Sequence, residues 1–224
     1  MIELRNVAYS YGGADLFTDL SLVLAPGSFH FLTGPSGSGK TTLMKLLYAE
    51  LLPTAGEVTI FGQSTRSMTR DAVAAAREKV GFVHQDCQFL DHLTLAQNVM
   101  LPLAVAGRQA EAQGNIGELL AWVGLRQQAD QLPPSLSGGE RQRAALARAV
   151  VISPEVVLAD EPTGNIDWEM SQRLLTLLVE LNKMGRAVLV ATHDLNLIRA
   201  AKSQVAARVL RLANRRLTSA GADL

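Results

Sequence analysis

The segment Gly34-Pro35-Ser36-Gly37-Ser38-Gly39-Lys40-Thr41 concentrates glycines, an ammonium and a hydroxyl in one short stretch. Glycines at this spacing let the backbone curl so that several N–H groups point inward as an anion nest. A helix starting near Lys40 adds the positive end of its dipole. Lys40 supplies a point charge to the outer phosphates of a nucleotide, and the Thr41 hydroxyl can ligate Mg²⁺. The chemistry this points to is recognition of a triphosphate.

A second glycine pair lies about a hundred residues on, in Leu136-Ser137-Gly138-Gly139-Glu140. Ser137 and Glu140 have the spacing of a capping box, so one reading is a plain helix start. Glycines in a first helical turn are unfavourable unless the backbone must lie close against something. The other reading is therefore an anion site made by bare N–H groups and the Ser137 hydroxyl. Val156-Val157-Leu158-Ala159-Asp160-Glu161 is an apolar run ending in paired acids. Asp160 can hold Mg²⁺ and Glu161 can orient an attacking water. Gln85 and His193 each follow an apolar run, where Gln85 can reach metal and water and His193 a terminal phosphate. Tyr11 either stacks on a base or packs on neighbouring strands.

These residues need elements to hold them. Residues 2–8 and 20–24 read as strands of an N-terminal antiparallel sheet, and Ser28 to Thr33 as a strand entering the glycine loop. Lys40 to Leu52 reads as a helix, with Leu43, Leu46, Leu47 and Leu51 on one face and Pro53 and Gly56 ending it. Val58 to Phe61 returns as a strand, Thr69 to Lys79 is helical, and Val80 to His84 is a strand. From Cys87 to Pro134 the pattern is helical, with breaks expected at Pro102, Gly107, Gly114 and Pro133-Pro134. Then come a helix from Gly139 to Val151, a strand from Val156 to Asp160, a helix from Trp168 to Lys183 and a strand from Ala187 to Thr192. Three of these strands are mainly apolar and end in polar chemistry: Thr33 before the loop, Asp160-Glu161, and Thr192-His193. Open parallel sheets place ligands beyond the carboxyl ends of their strands, so the candidates converge on one edge.

The 224 residues, 48% of them apolar, suffice for a domain with a large core. Charge is balanced, 21 basic against 21 acidic, which gives no electrostatic case for nucleic acid as main partner. Arg208, Arg211, Arg215 and Arg216 form a local basic run, read as a solvated hairpin with anionic lipid as the alternative. A single cysteine, Cys87, excludes an internal disulfide and a multi-cysteine zinc site, and fits a reducing cytosol. No signal peptide is expected at the N-terminus. No apolar run approaches the about 20 residues that span a bilayer. A membrane role would therefore go through a partner.

Taken together, the motifs resemble the ATP-binding-cassette (ABC) family of nucleotide-binding subunits, over essentially the whole chain. The resemblance implies an α/β P-loop NTPase of ABC type: a mainly parallel sheet, an N-terminal antiparallel β-subdomain and an inserted helical subdomain. It assigns 1–86 and 136–224 to the ATPase core and 87–135 to the helical subdomain. Gly34 to Thr41 matches Walker A, Gln85 the Q-loop, Leu136 to Glu140 the signature, Val156 to Glu161 Walker B, Gly164-Asn165-Ile166-Asp167 the D-loop and His193 the switch histidine. The implied nucleotide contacts are Tyr11, Gly34, Pro35, Ser36, Gly37, Ser38, Gly39, Lys40, Thr41 and Thr42. Ser137, Gly138 and Gly139 complete them from a second copy packed head to tail. Glu161, His193 and Gln85 are the implied catalytic residues, with Thr41, Gln85 and Asp160 at Mg²⁺.

Within the family, Phe31-Leu32-Thr33-Gly34, the stretch from Asn98 to Leu103, that from Ala159 to Asn165 and that from Ala191 to Ile198 look most like the cell-division branch. That branch acts on the membrane protein FtsX from the cytoplasmic face of the inner membrane, as a peripheral subunit, and is linked to peptidoglycan hydrolysis. Lipoprotein-release and MacB-like export ATPases share many of these stretches and form the alternative. The surface around Gln85 and 87–135 is the implied docking face. His84 stands where an aromatic is commoner, and Cys87-Gln88 where relatives often carry His-His. Asn214-Arg215 replaces a common Asp-Gly turn, so an irregular C-terminal hairpin is expected.

Overall fold

The strands form two sheets, and the most deeply buried of them lie inside the larger one. The computed structural model describes residues 1–112, 116–164 and 166–219. Along the chain run β1 (Ile2–Tyr9), β2 (Phe17–Leu24), β3 (Phe29–Thr33), α1 (Lys40–Leu47), β4 (Ala55–Ile60), β5 (Gln63–Ser64), α2 (Arg70–Glu78) and β6 (Val80–Val83). Then come α3 (Leu95–Val105), α4 (Gln109–Ala112), α5 (Ile116–Trp122), α6 (Gly138–Val150), β7 (Val156–Asp160), α7 (Trp168–Lys183), β8 (Ala187–Ala191), α8 (Leu195–Lys202), β9 (Ala207–Ala213) and β10 (Arg216–Ser219).

β2 alternates buried and open positions, as a strand covered on one face does. It joins an antiparallel sheet in the order β2-β1-β4-β5. β3, β7 and β8 are buried at every residue and lie inside a second sheet, ordered β10-β9-β3-β8-β7-β6. Its pairings are parallel except for the β9–β10 hairpin. Alternate residues of these strands feed opposite cores, as a two-residue period requires. Phe31, Val157, Val188 and Val190 pack toward α6, α7 and α8, whereas Leu32, Leu158, Leu189 and Ala191 pack toward α1 and the antiparallel sheet. Register places Leu32 and Asp160 each opposite Ala191. The polar residues following β3, β7 and β8 therefore leave the sheet at one edge. The mixed α/β architecture is the one the sequence implies.

Three local expectations are corrected. The helix expected to reach Leu52 stops at Leu47, because Ala49 takes a left-handed φ of 53°. Leu51 still packs on the core, from the turn that follows. Pro102 does not break α3 but lies inside it, and the chain turns only at Gly107, which has a φ of 69°. The break expected at Gly114 falls outside the described residues. The C-terminal hairpin is regular: Ala213 pairs with Arg216 across a two-residue turn in which Asn214 and Arg215 have φ of 50° and 63°. That is the backbone sign a tight hairpin demands, here met without glycine. Among the described residues no helix is long and apolar enough to cross a membrane.

Candidate functional site

At the end of β3 the chain turns sharply at Gly34, where an added Cβ would collide with the Leu212 carbonyl oxygen. Only glycine lets the loop start this close to β9. The loop then opens α1 from Gly39, which caps the helix in a left-handed conformation without a side-chain cap. Lys40 folds back over its own loop, its Nζ donating to the carbonyls of Gly34 (2.9 Å) and Pro35 (3.3 Å). The ammonium is thus held at the loop, where phosphate oxygens can replace those carbonyls.

Beside it, the Thr41 hydroxyl donates to Asp160 Oδ2 at 2.6 Å. Asp160 is 2% exposed. Burial pushes its carboxyl above the usual range, the Thr41 hydrogen bond opposing and the Glu161 charge reinforcing that shift. Glu161 follows with a left-handed φ of 47°, its N–H tied to the Ala191 carbonyl at 2.9 Å. A non-glycine residue in that region is strained, and here the strain turns the carboxylate toward the neighbouring strand end. Glu161 Oε2 lies 3.0 Å from His193 Nδ1, with the carboxylate side chain 13% exposed and the imidazole 77% exposed. The Tyr11 hydroxyl sits 3.1 Å from Thr42 Oγ1, and its ring meets Tyr9 edge-on at 4.9 Å. Tyr11 thus packs on the N-terminal strands through one edge and remains 68% exposed at the mouth of the site.

These groups line one cleft of about 730 Å³, together with Leu16, Ser36, Gly37, Gly39, Gln85 and Gly164. The expected convergence of Tyr11, the glycine loop, Gln85, Asp160, Glu161 and His193 is what the fold produces. Ser137, Gly138 and Gly139 lie elsewhere. Ser137 caps α6: its hydroxyl accepts from Glu140 N–H at 3.3 Å and donates to Glu140 Oε2 at 2.8 Å. The Ser137 N–H donates to the same oxygen at 2.8 Å, and Gln128 donates to Glu140 Oε1 at 3.2 Å. The Ser137 backbone N–H and then its hydroxyl hold the Glu140 carboxyl below the usual carboxylate range. An added Cβ on Gly139 would meet Ile166 Cγ2 at 3.3 Å, so the glycine admits the loop after β7 against α6. Asn165, part of that loop, falls outside the described residues.

Two residues that sequence reasoning missed tie the segment 87–89, which follows Gln85, to α6. Arg148 donates to the Gln88 carbonyl at 2.6 Å and covers the Phe89 ring at 4.6 Å. Gln142 Oε1 accepts from Cys87 Sγ at 3.0 Å. Burial raises the Cys87 thiol and lowers the Arg148 guanidinium. These partners lie far apart in the chain, and in sequence Arg148 looks like an ordinary cation in a last helical turn.

Known proteins match this arrangement. The ABC transporter family model matches residues 17–164. The cell division ATP-binding protein FtsE of Haemophilus influenzae is 42% identical over 88% of this chain and 92% of its own. That of Bacillus subtilis is 38% identical over 92% of each chain. That of Mycobacterium tuberculosis is 40% identical over 92% of this chain and 90% of its own. Among solved structures, the dimeric post-hydrolysis state of the ATP-binding cassette MJ0796 bound to ADP and Pi superposes with a TM-score of 0.85, at 32% identity over 98% of both chains. A dimeric structure of MJ0796, described as a bacterial ABC transporter cassette, gives 0.84 at 34% identity over 97% of this chain and 96% of that one.

Proposed function

Since the chain belongs to the ABC transporter family and is an ATPase of that family, we propose that it binds Mg·ATP and closes head to tail with a second copy. In this reading hydrolysis drives the membrane protein FtsX, controlling peptidoglycan hydrolysis during bacterial cell division. One observation carries the mechanism. Lys40, Thr41, Asp160, Glu161 and His193 share a single cleft, whereas Ser137 and Gly139 sit on a separate helix start. The dimeric state of the solved relatives supports supplying the second set from a partner copy.

Each residue has a task set by its position. Tyr11 offers an exposed ring to adenine. Lys40 exchanges the Gly34 and Pro35 carbonyls for phosphate oxygens. Thr42, already beside the Tyr11 hydroxyl, lies at the base of the loop and reaches the inner phosphates. A hard cation takes oxygen ligands, few of them from protein when phosphates are present. The Thr41 hydroxyl and the buried Asp160 carboxylate form such a pair, with Gln85 in the same cleft. When bound, Mg²⁺ would neutralise charge on the phosphates. Glu161 orients the attacking water, and His193 steadies that carboxylate before turning to the terminal phosphate. The partner's Ser137 hydroxyl and the Gly139 N–H close the site from the far side.

Residues 87–135 form the helical subdomain between the core segments 1–86 and 136–224. With Gln85 they present the face that docks FtsX, placing the chain on the cytoplasmic side of the inner membrane as a peripheral subunit. The tie of Arg148 and Gln142 to the Gln85 loop supports this route, because movement of a docked partner would reach α6 directly. The relatives named as cell-division proteins support FtsX as the partner. ATPase activity of the purified chain, with and without coexpressed FtsX in lipid, tests the reading. Stimulation by FtsX that Glu161→Gln removes is the expected result. Activity indifferent to FtsX, with no complex formed, would redirect the assignment to lipoprotein-release or MacB-like export subunits.

A further inference from the structure

A second cleft, of about 650 Å³, adjoins the first and shares Tyr11, Leu16, Ser36 and Gly37 with it. Its far wall is the β9–β10 turn, Asn214 and Arg215. β9 runs parallel to β3, so this turn leaves the sheet at the same edge as the glycine loop. The turn is fixed there: the Arg215 carbonyl accepts from Thr18 N–H at 3.0 Å, and the Leu212 backbone abuts Gly34. Arginine occupies a left-handed position, φ 63°, that glycine would fill without penalty. Among the described residues its side chain has no hydrogen-bond or ion-pair partner, although the Asp15 carboxylate lines the same cleft. The turn backbone is thus fixed beside the glycine loop, and an exposed arginine projects from it in a conformation unfavourable to any residue but glycine.

We propose that Arg215 is an additional nucleotide-binding residue, reaching the phosphate chain of ATP from the outer side of Pro35–Ser38. The proposal rests on the ATP site described above. A guanidinium at this edge adds a fork of donors to the nest of backbone N–H groups and to the Lys40 point charge. It strengthens binding of the ground-state nucleotide before any second copy arrives.

Titration calorimetry of ATP and ADP into the chain, Arg215→Gly, Arg215→Lys and Lys40→Ala tests this. Arg215→Gly is expected to weaken both nucleotides about three- to tenfold, the range of a partly screened charge-assisted hydrogen bond. Its melting temperature should hold or rise, because glycine relieves the left-handed turn. That opposition separates a lost contact from a damaged fold. Arg215→Lys should recover part of the affinity, and the difference between Gly and wild type should shrink as salt rises. Unchanged affinity in Arg215→Gly, with binding lost in Lys40→Ala, would overturn the proposal and leave the ATP site standing. Unchanged affinity with weakened ATP-dependent dimerisation would assign Arg215 to the interface and overturn it as well. Intact binding in Lys40→Ala would instead overturn the site itself.

Discussion

Where β3, β7 and β8 end, side chains from distant parts of the chain meet in a cleft: Thr41 on Asp160 at 2.6 Å, Glu161 on His193 at 3.0 Å. Where α6 begins, Ser137 and Glu140 instead satisfy each other through three short-range hydrogen bonds. The first region is concave and built to receive a ligand. The second reads, on one chain, as a well-made helix cap. Its donors become useful to a phosphate only if that phosphate is presented on another surface, where it can compete with the Glu140 carboxylate. A site can thus be divided so that one half looks functional in isolation and the other looks purely structural.

The sharpest way to break this contrast is Lys40→Ala. Removing the cleft's phosphate cation should lower nucleotide affinity by about a hundredfold or more, given the strength of charge-assisted contacts to phosphate. Calorimetry showing wild-type affinity would dissolve the assignment of the first half. Next comes Glu161→Gln, which keeps shape but removes the carboxylate charge beside His193. Turnover with the membrane partner present should fall about 10²–10⁴-fold, as for loss of a positioned general base, while nucleotide affinity persists. A rate left unchanged would make the protein a latch rather than a motor.

Smaller effects separate the halves by pH. Burial raises the Asp160 carboxyl, so the folded chain holds that proton more tightly than the unfolded one. Stability therefore declines as pH rises from the unfolded value toward the folded one, and the penalty is complete above both. Asp160→Asn removes it. The nucleotide-free variant should melt at the wild-type temperature in acid and above it near neutrality, at the expense of turnover. For Glu140 the sign reverses, because hydrogen bonds from Ser137 depress its carboxyl. Its stabilisation is present above the ordinary carboxylate range and lost as pH falls through the depressed value. Glu140→Ala should cost about 0.5–1 kcal/mol near neutrality, the size of a capping-box and helix-dipole contribution. Denaturant midpoints at two pH values would show whether that cost fades in acid.

Much of this was legible in sequence because both halves are local motifs. Glycine loop, paired acids and capping box each declare themselves within a few residues, and apolar strands with polar ends predict a common edge. The failures have a common physical form. Leu51 keeps the helical period, yet the backbone reverses at Ala49, and no side-chain pattern announces a left-handed alanine. Pro102 reads as a breaker but is absorbed within α3. Asn214-Arg215 lacks glycine and still forms a tight turn. The link from Arg148 to Gln88 joins residues sixty positions apart, and the reason for Gly139 is a contact with Ile166. Such facts belong to packing, which one-dimensional spacing does not encode.

If Ser137 acts on nucleotide held by another copy, closure of the dimer depends on it. Sedimentation of Glu161→Gln with ATP is compared with that of Glu161→Gln combined with Ser137→Arg. An ATP-dependent dimer is expected for the first and a monomer that still binds ATP for the second. Equal dimerisation of both would contradict that dependence and return Ser137 to the role of a helix cap.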